Sequence, residues 1–75
     1  MKLLAGQTLI FMRDNGKLVC DVYFKGVMPL GTVENIPQNI TVPDGTLKRF
    51  AENLAQDHNL KAKVSDNTPY AFKLS

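Results

Sequence analysis

Cys20 and His58 are the single cysteine and the single histidine of the chain, and a thiol nucleophile with its base could be built only from them. Such a pair needs the thiolate within hydrogen-bond reach of the imidazole and a third group to orient the base. The surrounding residues argue against it. Leu18, Cys20, Val22 and Phe24 alternate with Val19, Asp21, Tyr23 and Lys25, so Cys20 falls on the apolar side of a strand, where a thiol packs as a small hydrophobic group. His58 falls at the end of a helical pattern, where an imidazolium complements the helix dipole. Neither residue sits in a recognisable nucleophile motif.

Other chemistry finds even less support. A structural zinc site takes about four Cys or His ligands, and the chain has two such residues. Asp57 and His58 are adjacent and on a helix point in different directions. No calcium-loop spacing occurs. Neither GxGxxG nor GxxxxGK[ST] is present to cradle a phosphate. The seven carboxylates show no paired arrangement along the sequence. Asn39-Ile40-Thr41 spells a glycosylation site, which without secretion is a chance occurrence. The expectation is a protein with no catalytic residue, no cofactor and no metal.

The elements that position these side chains follow from patterning. Thr8 to Arg13 is rich in strand formers, and Asp14-Asn15-Gly16 then supplies the positive-φ residues of a type I′ turn. A two-residue turn pairs Asp14 with Lys17, sets Phe11 opposite Cys20 and Leu9 opposite Val22, and gathers Leu9, Phe11, Leu18, Cys20, Val22 and Phe24 on one apolar face. The opposite face is mixed, with Ile10, Met12, Val19 and Tyr23. Residues 26–45 hold Pro29, Pro37 and Pro43; Thr32 to Ile36 alternates as a third strand and Ile40 to Val42 as a further extended piece, both confined by the prolines to sheet edges. Leu47, Phe50, Ala51, Leu54 and Ala55 make one buried helical stripe, with Asp44 or Thr46 as N-cap and Asn59 as the left-handed residue after the helix, Leu60 folding back. Ala62 and Val64 alternate with Lys61 and Lys63, Asp66 to Pro69 makes a turn, and Tyr70, Phe72 and Leu74 return. Apolar faces then coincide only if Val64 pairs with Tyr70 or Phe72. The fold class is α+β: a small antiparallel or mixed sheet in ββ(β)αββ order with one helix packed on one face.

Two surfaces stand out as candidates for binding. Val27, Met28, Leu30, Val33, Ile36, Ile40 and Val42 crowd the proline-rich segment, more apolar residues than one helix and two hairpins need cover. Met28, Leu30, Val33 and Ile36, with Tyr23, form the expected partner-binding set, methionine being well suited to adaptable contacts. Lys61, Lys63 and Lys73 share the outward face of the second hairpin. With Arg49 or Lys48 nearby, they form the expected polyanion-binding set, Tyr23 being the aromatic available for stacking. Alternating lysines also simply discourage edge pairing.

The 75 residues are 44% apolar and 21% charged, with nine Lys and Arg against seven Asp and Glu for a net charge of +2. That balance suits one globular domain, residues 1–75, and is too weakly basic to require nucleic acid. A chain of this size buries only roughly 60% of its unfolded surface. Gly6, Gln7 and Thr8 interrupt the apolar start before it resembles a signal peptide, no apolar run approaches a membrane span, and a lone cysteine suits the reducing cytoplasm. The leading expectation is a cytoplasmic, non-enzymatic interaction module. It would be a small inhibitor or regulator of microbial or phage type, binding a larger protein or nucleoprotein. A nucleic-acid-binding domain and a self-assembling subunit are the alternatives.

Overall fold

A computed structural model describes residues 2–24, 29–33, 36, 38, 46–65 and 68–75, with the backbone alone for Pro29, Leu30, Thr46, Thr68 and Pro69. Its elements are β1 (Gln7–Asp14), β2 (Lys17–Phe24), β3 (Pro29–Val33), α1 (Thr46–Gln56), β4 (Ala62–Ser65) and β5 (Thr68–Leu74). The strands form one antiparallel sheet in the order β3-β2-β1-β5-β4, with α1 packed against β4 and β5. The α+β class and the element order are those expected.

The first hairpin has the expected register. Asp14 pairs with Lys17, Phe11 with Cys20 and Leu9 with Val22. Asn15 and Gly16 adopt φ of 51° and 77°, the mirror-image turn whose twist matches that of paired strands. Leu9, Phe11, Leu18, Cys20 and Val22 are all buried. Phe24 is a correction: it lies on the same side but is exposed, at the end of the strand. Its ring instead covers the bend at Gly6, where an added Cβ would come within 3.4 Å of it.

The third strand is also corrected, since it runs over Pro29–Val33 rather than Thr32 to Ile36. Pro29 lacks an N–H and can open a strand only at an edge, which β3 is. Asp21 fixes the register by accepting a hydrogen bond from Thr32 Oγ1 at 3.0 Å across the pair. Val22 faces Gly31 and Tyr23 faces Pro29, so a bulge skips Leu30. Beyond Val33 the sheet continues by side chain. The Gln38 amide accepts from Leu18 N at 2.7 Å, donates to Leu18 O at 3.2 Å and donates to Ile36 O at 2.8 Å. It thereby supplies the bonds that a neighbouring strand would otherwise give β2, and it holds Ile36 in the core.

The helix buries Leu47, Ala51 and Ala55, while Phe50 and Leu54 are half-buried. It ends as expected. Asn59 has φ 59°, its N–H donates to Gln56 O at 3.0 Å, and Leu60 N donates to Ala55 O at 2.8 Å. These two bonds satisfy carbonyls the helix leaves open, and Leu60 packs onto the core. Phe11 contacts Phe50 and Phe72 edge-to-face, each at 5.9 Å between centroids, so one hairpin residue ties the helix to both halves of the sheet.

In the second hairpin Val64 faces Phe72, one of the expected pairings. Thr68 and Pro69 belong to β5 rather than to the turn. The register jumps between Val64 and Ser65, which leaves Val64 and Tyr70 exposed instead of buried. The N-terminal stretch is part of the core: Leu3 is buried, Gly6 N donates to Leu74 O at 2.9 Å, and Leu4 and Gln7 bond each other through both backbone and side chain. The expected cap Asp44, the side chain of Thr46, the extended piece Ile40–Val42, the sequon Asn39–Thr41 and the turn residues Asp66 and Asn67 lie outside the described residues. Among the described residues no helix is long and apolar enough to cross a membrane.

Candidate functional site

Cys20 and His58, the candidate thiol and its base, both serve the structure. Cys20 is completely buried. Loss of water pushes its thiol up from 9.0 to about 12, the neighbouring Asp21 carboxylate adds to that, and a backbone hydrogen bond at Ile10 opposes it. A nucleophilic cysteine requires the reverse environment. His58 is half-buried, and its Nδ1 accepts the Leu3 N–H at a long 3.4 Å, helping to tie the N-terminal stretch to the end of α1. Among the described residues no three His, Cys, Asp or Glu side chains are grouped to hold a metal ion.

The outer face of the sheet, opposite α1, carries the surface features of interest. The registers align Tyr23, Thr8, Lys73 and Lys63 in one row across four strands. At the usual strand spacing that row is roughly 14 Å long. Beside it runs a second row, Thr32, Asp21, Ile10 and Ala71, and Val19 pairs with Met12 beyond. Ile10, Val19 and Tyr23 are half-buried, Met12 is exposed, and Ala71 is buried among its neighbours. The face therefore has an apolar middle and a basic end.

Lys63 and Lys73 are direct cross-strand partners, and both are exposed. Lys61 bonds Ser75 through N–H and C=O at 2.8 and 2.9 Å, which by alternation puts it on the same side as Lys63. Like charges placed opposite one another disfavour the sheet. Arg49 is elsewhere. It is exposed on α1, so the sheet lies between it and the three lysines.

The apolar set divides differently. Ile36 is a correction, being 7% exposed and part of the core, where it offers no surface to a partner; the Gln38 clamp is the cause. Val33 is half-buried against that core. Met28 and the side chain of Leu30 lie outside the described residues. Tyr23 keeps a partly open ring on the outer face. Sequence reasoning missed Thr8 and Ala71, which enter the face only through pairing of β1 with β5, a contact between distant parts of the chain that no local pattern carries.

The described residues thus make a small α+β fold, one helix on one side of a five-stranded antiparallel sheet. No family model matches the chain, and no curated protein or solved structure matches it either.

Proposed function

We propose that this chain is a non-enzymatic interaction module that acts by contact, as a small intracellular inhibitor or regulator of microbial or phage type occupying a surface of a larger protein. One observation carries the reading: a sheet with α1 on one side presents, on the other, an apolar middle of Ile10, Val19, Tyr23 and Met12 instead of the fully polar alternation of a solvated face. The inert environment of Cys20 supports contact over chemistry. The test is capture of partners from the source cell by the wild type and by Ile10→Lys and Val19→Glu variants, with melting curves in parallel. The reading expects a protein retained by the wild type and lost from both variants while they still fold. Equal retention by all three would overturn it.

A second reading, binding of nucleic acid through Lys61, Lys63 and Lys73, is favoured by the direct opposition of Lys63 and Lys73, since a bound phosphate would relieve it. Affinity for a labelled single strand would then fall with salt, with a log–log slope of about −0.7 per phosphate neutralised. Asp21, on the same face and two residues before Tyr23, works against this reading.

A further inference from the structure

The two edges of the sheet are not alike. At one, β3 opens on Pro29, which has no N–H to offer a further strand, and past its end the Gln38 amide occupies the outer bonds of β2. At the other, β4 contains no proline. Lys61 and Ser75 exchange both backbone hydrogen bonds. In an antiparallel ladder such pairs alternate with pairs that exchange none. Lys63 therefore bonds Lys73, and the N–H and C=O groups of Ala62 and Val64 point away from β5, along the outer edge. A row of such groups is what an added strand takes up.

We propose that β4 is a docking edge for an extended segment of a partner protein whose residues alternate acidic and apolar, added antiparallel like every other pair of this sheet. The side chains on the two sides of the edge set that alternation. Val64 faces the buried Phe72 and so lies on the helix side, yet it is 45% exposed, an apolar side chain at the margin of the core with room for an apolar neighbour. Lys61 and Lys63 lie on the opposite side, with Lys73 directly beside Lys63, and neither β4 nor β5 carries an acidic residue to balance them. A carboxylate across from Lys63 would relieve the opposition of Lys63 and Lys73. Edge lysines deter neutral and basic strands, and by the same charge they admit an acidic one. A second copy of β4 would bring its own lysines to the same side and add like charge. The proposal rests on the interaction-module reading and adds the chemistry of the partner, whose strand would continue the open face of the sheet.

The test is an amide-shift titration of the full chain with three capped peptides: Glu-Val-Glu-Val-Glu, Lys-Val-Lys-Val-Lys, and the acidic peptide with its valine nitrogens methylated. The acidic peptide is expected to shift the amides of Ala62, Lys63 and Val64 saturably. The basic one should bind about tenfold more weakly, because two cross-strand charge pairs change sign. The methylated peptide keeps every side chain but cannot donate the strand bonds, and should leave those amides unmoved. Lys63→Glu should erase the preference for the acidic peptide, one attractive pair then standing beside one repulsive pair. Equal binding of the acidic and basic peptides by the wild type, undiminished binding of the methylated one, shifts mapping away from β4, or no binding would overturn the proposal. Shifts at Lys63 and Lys73 given by an oligothymidylate and not by the acidic peptide would assign the lysines to nucleic acid and overturn it too. A captured partner lost from the Ile10→Lys variant but unaffected by Lys63→Glu would sink the docking edge while leaving the interaction reading intact.

Discussion

The burial of Cys20 has a measurable consequence at alkaline pH. In the folded chain the thiol titrates at about 12 against 9.0 when free, mainly because the anion would lack water. A group raised on folding contributes stability that is fully present below its unfolded pKa and is lost as pH rises toward the folded one. Between pH 9 and 12 the unfolded chain gives up the proton while the folded chain keeps it, so unfolding becomes easier as base is added. At 1.36 kcal/mol per pH unit the interval corresponds to a loss on the order of 4 kcal/mol. A chain of this size has only roughly 4–11 kcal/mol of stability in total. The assay is a difference: urea midpoints of the wild type and Cys20→Ala from pH 7 to 11. The gap between the two should close, and then reverse, as pH rises. A thiol-exchange probe gives a second reading at pH 8, where the thiolate fraction should be about a thousandfold below that of the unfolded chain. Parallel urea midpoints, or native labelling within about tenfold of the unfolded rate, would refute the argument.

Three further outcomes follow from particular contacts. Gln38→Ala should cost roughly 1–3 kcal/mol, because Leu18 loses both bonds on its outer edge; a shift of about 4–8 °C per kcal/mol makes this readable by calorimetry. Gly16→Val should destabilise the hairpin although nothing lies within 4 Å of the added Cβ. The strain is in the backbone at φ +77°, so Gly16→Asn should be far milder in the same melting assay. Lys63→Glu should stabilise the fold by about 0.2–1 kcal/mol by converting the pair with Lys73 into an attraction, with the gain shrinking at high salt.

Local chemistry was legible where one residue type has one use. Asn15-Gly16 can serve a tight mirror turn at little cost, and once that turn was placed every pair of the first hairpin followed. Asn59 tolerates the left-handed backbone a helix end requires, and Leu60 closed the motif as its position implied. Patterning misled where pairing outweighs local signal. Thr32 to Ile36 alternates by itself, whereas Pro29 to Val33 becomes a strand by pairing with β2, a contact that local alternation does not carry. Phe24, Val64 and Tyr70 read as core from alternation, but a strand end and a register jump put them at the surface. The deepest gap concerns Gln38 and Gln7. Hydrophobic periodicity gives polar side chains no structural role, yet one amide completes a sheet and the other fixes the turn into β1. The lysine row was half visible: alternation put Lys61, Lys63 and Lys73 on one side, but only pairing of β4 with β5 set two of them face to face. Arg49 could not be assigned to a side of the sheet before the helix was placed.

The most direct test is a footprint of the captured partner on the labelled chain, read from both side-chain methyls and backbone amides. Contact through the sheet's open side predicts perturbation at Ile10, Met12 and Val19, with α1 silent. A footprint centred on Lys48, Arg49, Glu52 and Gln56 instead, with those methyls unmoved, would contradict it.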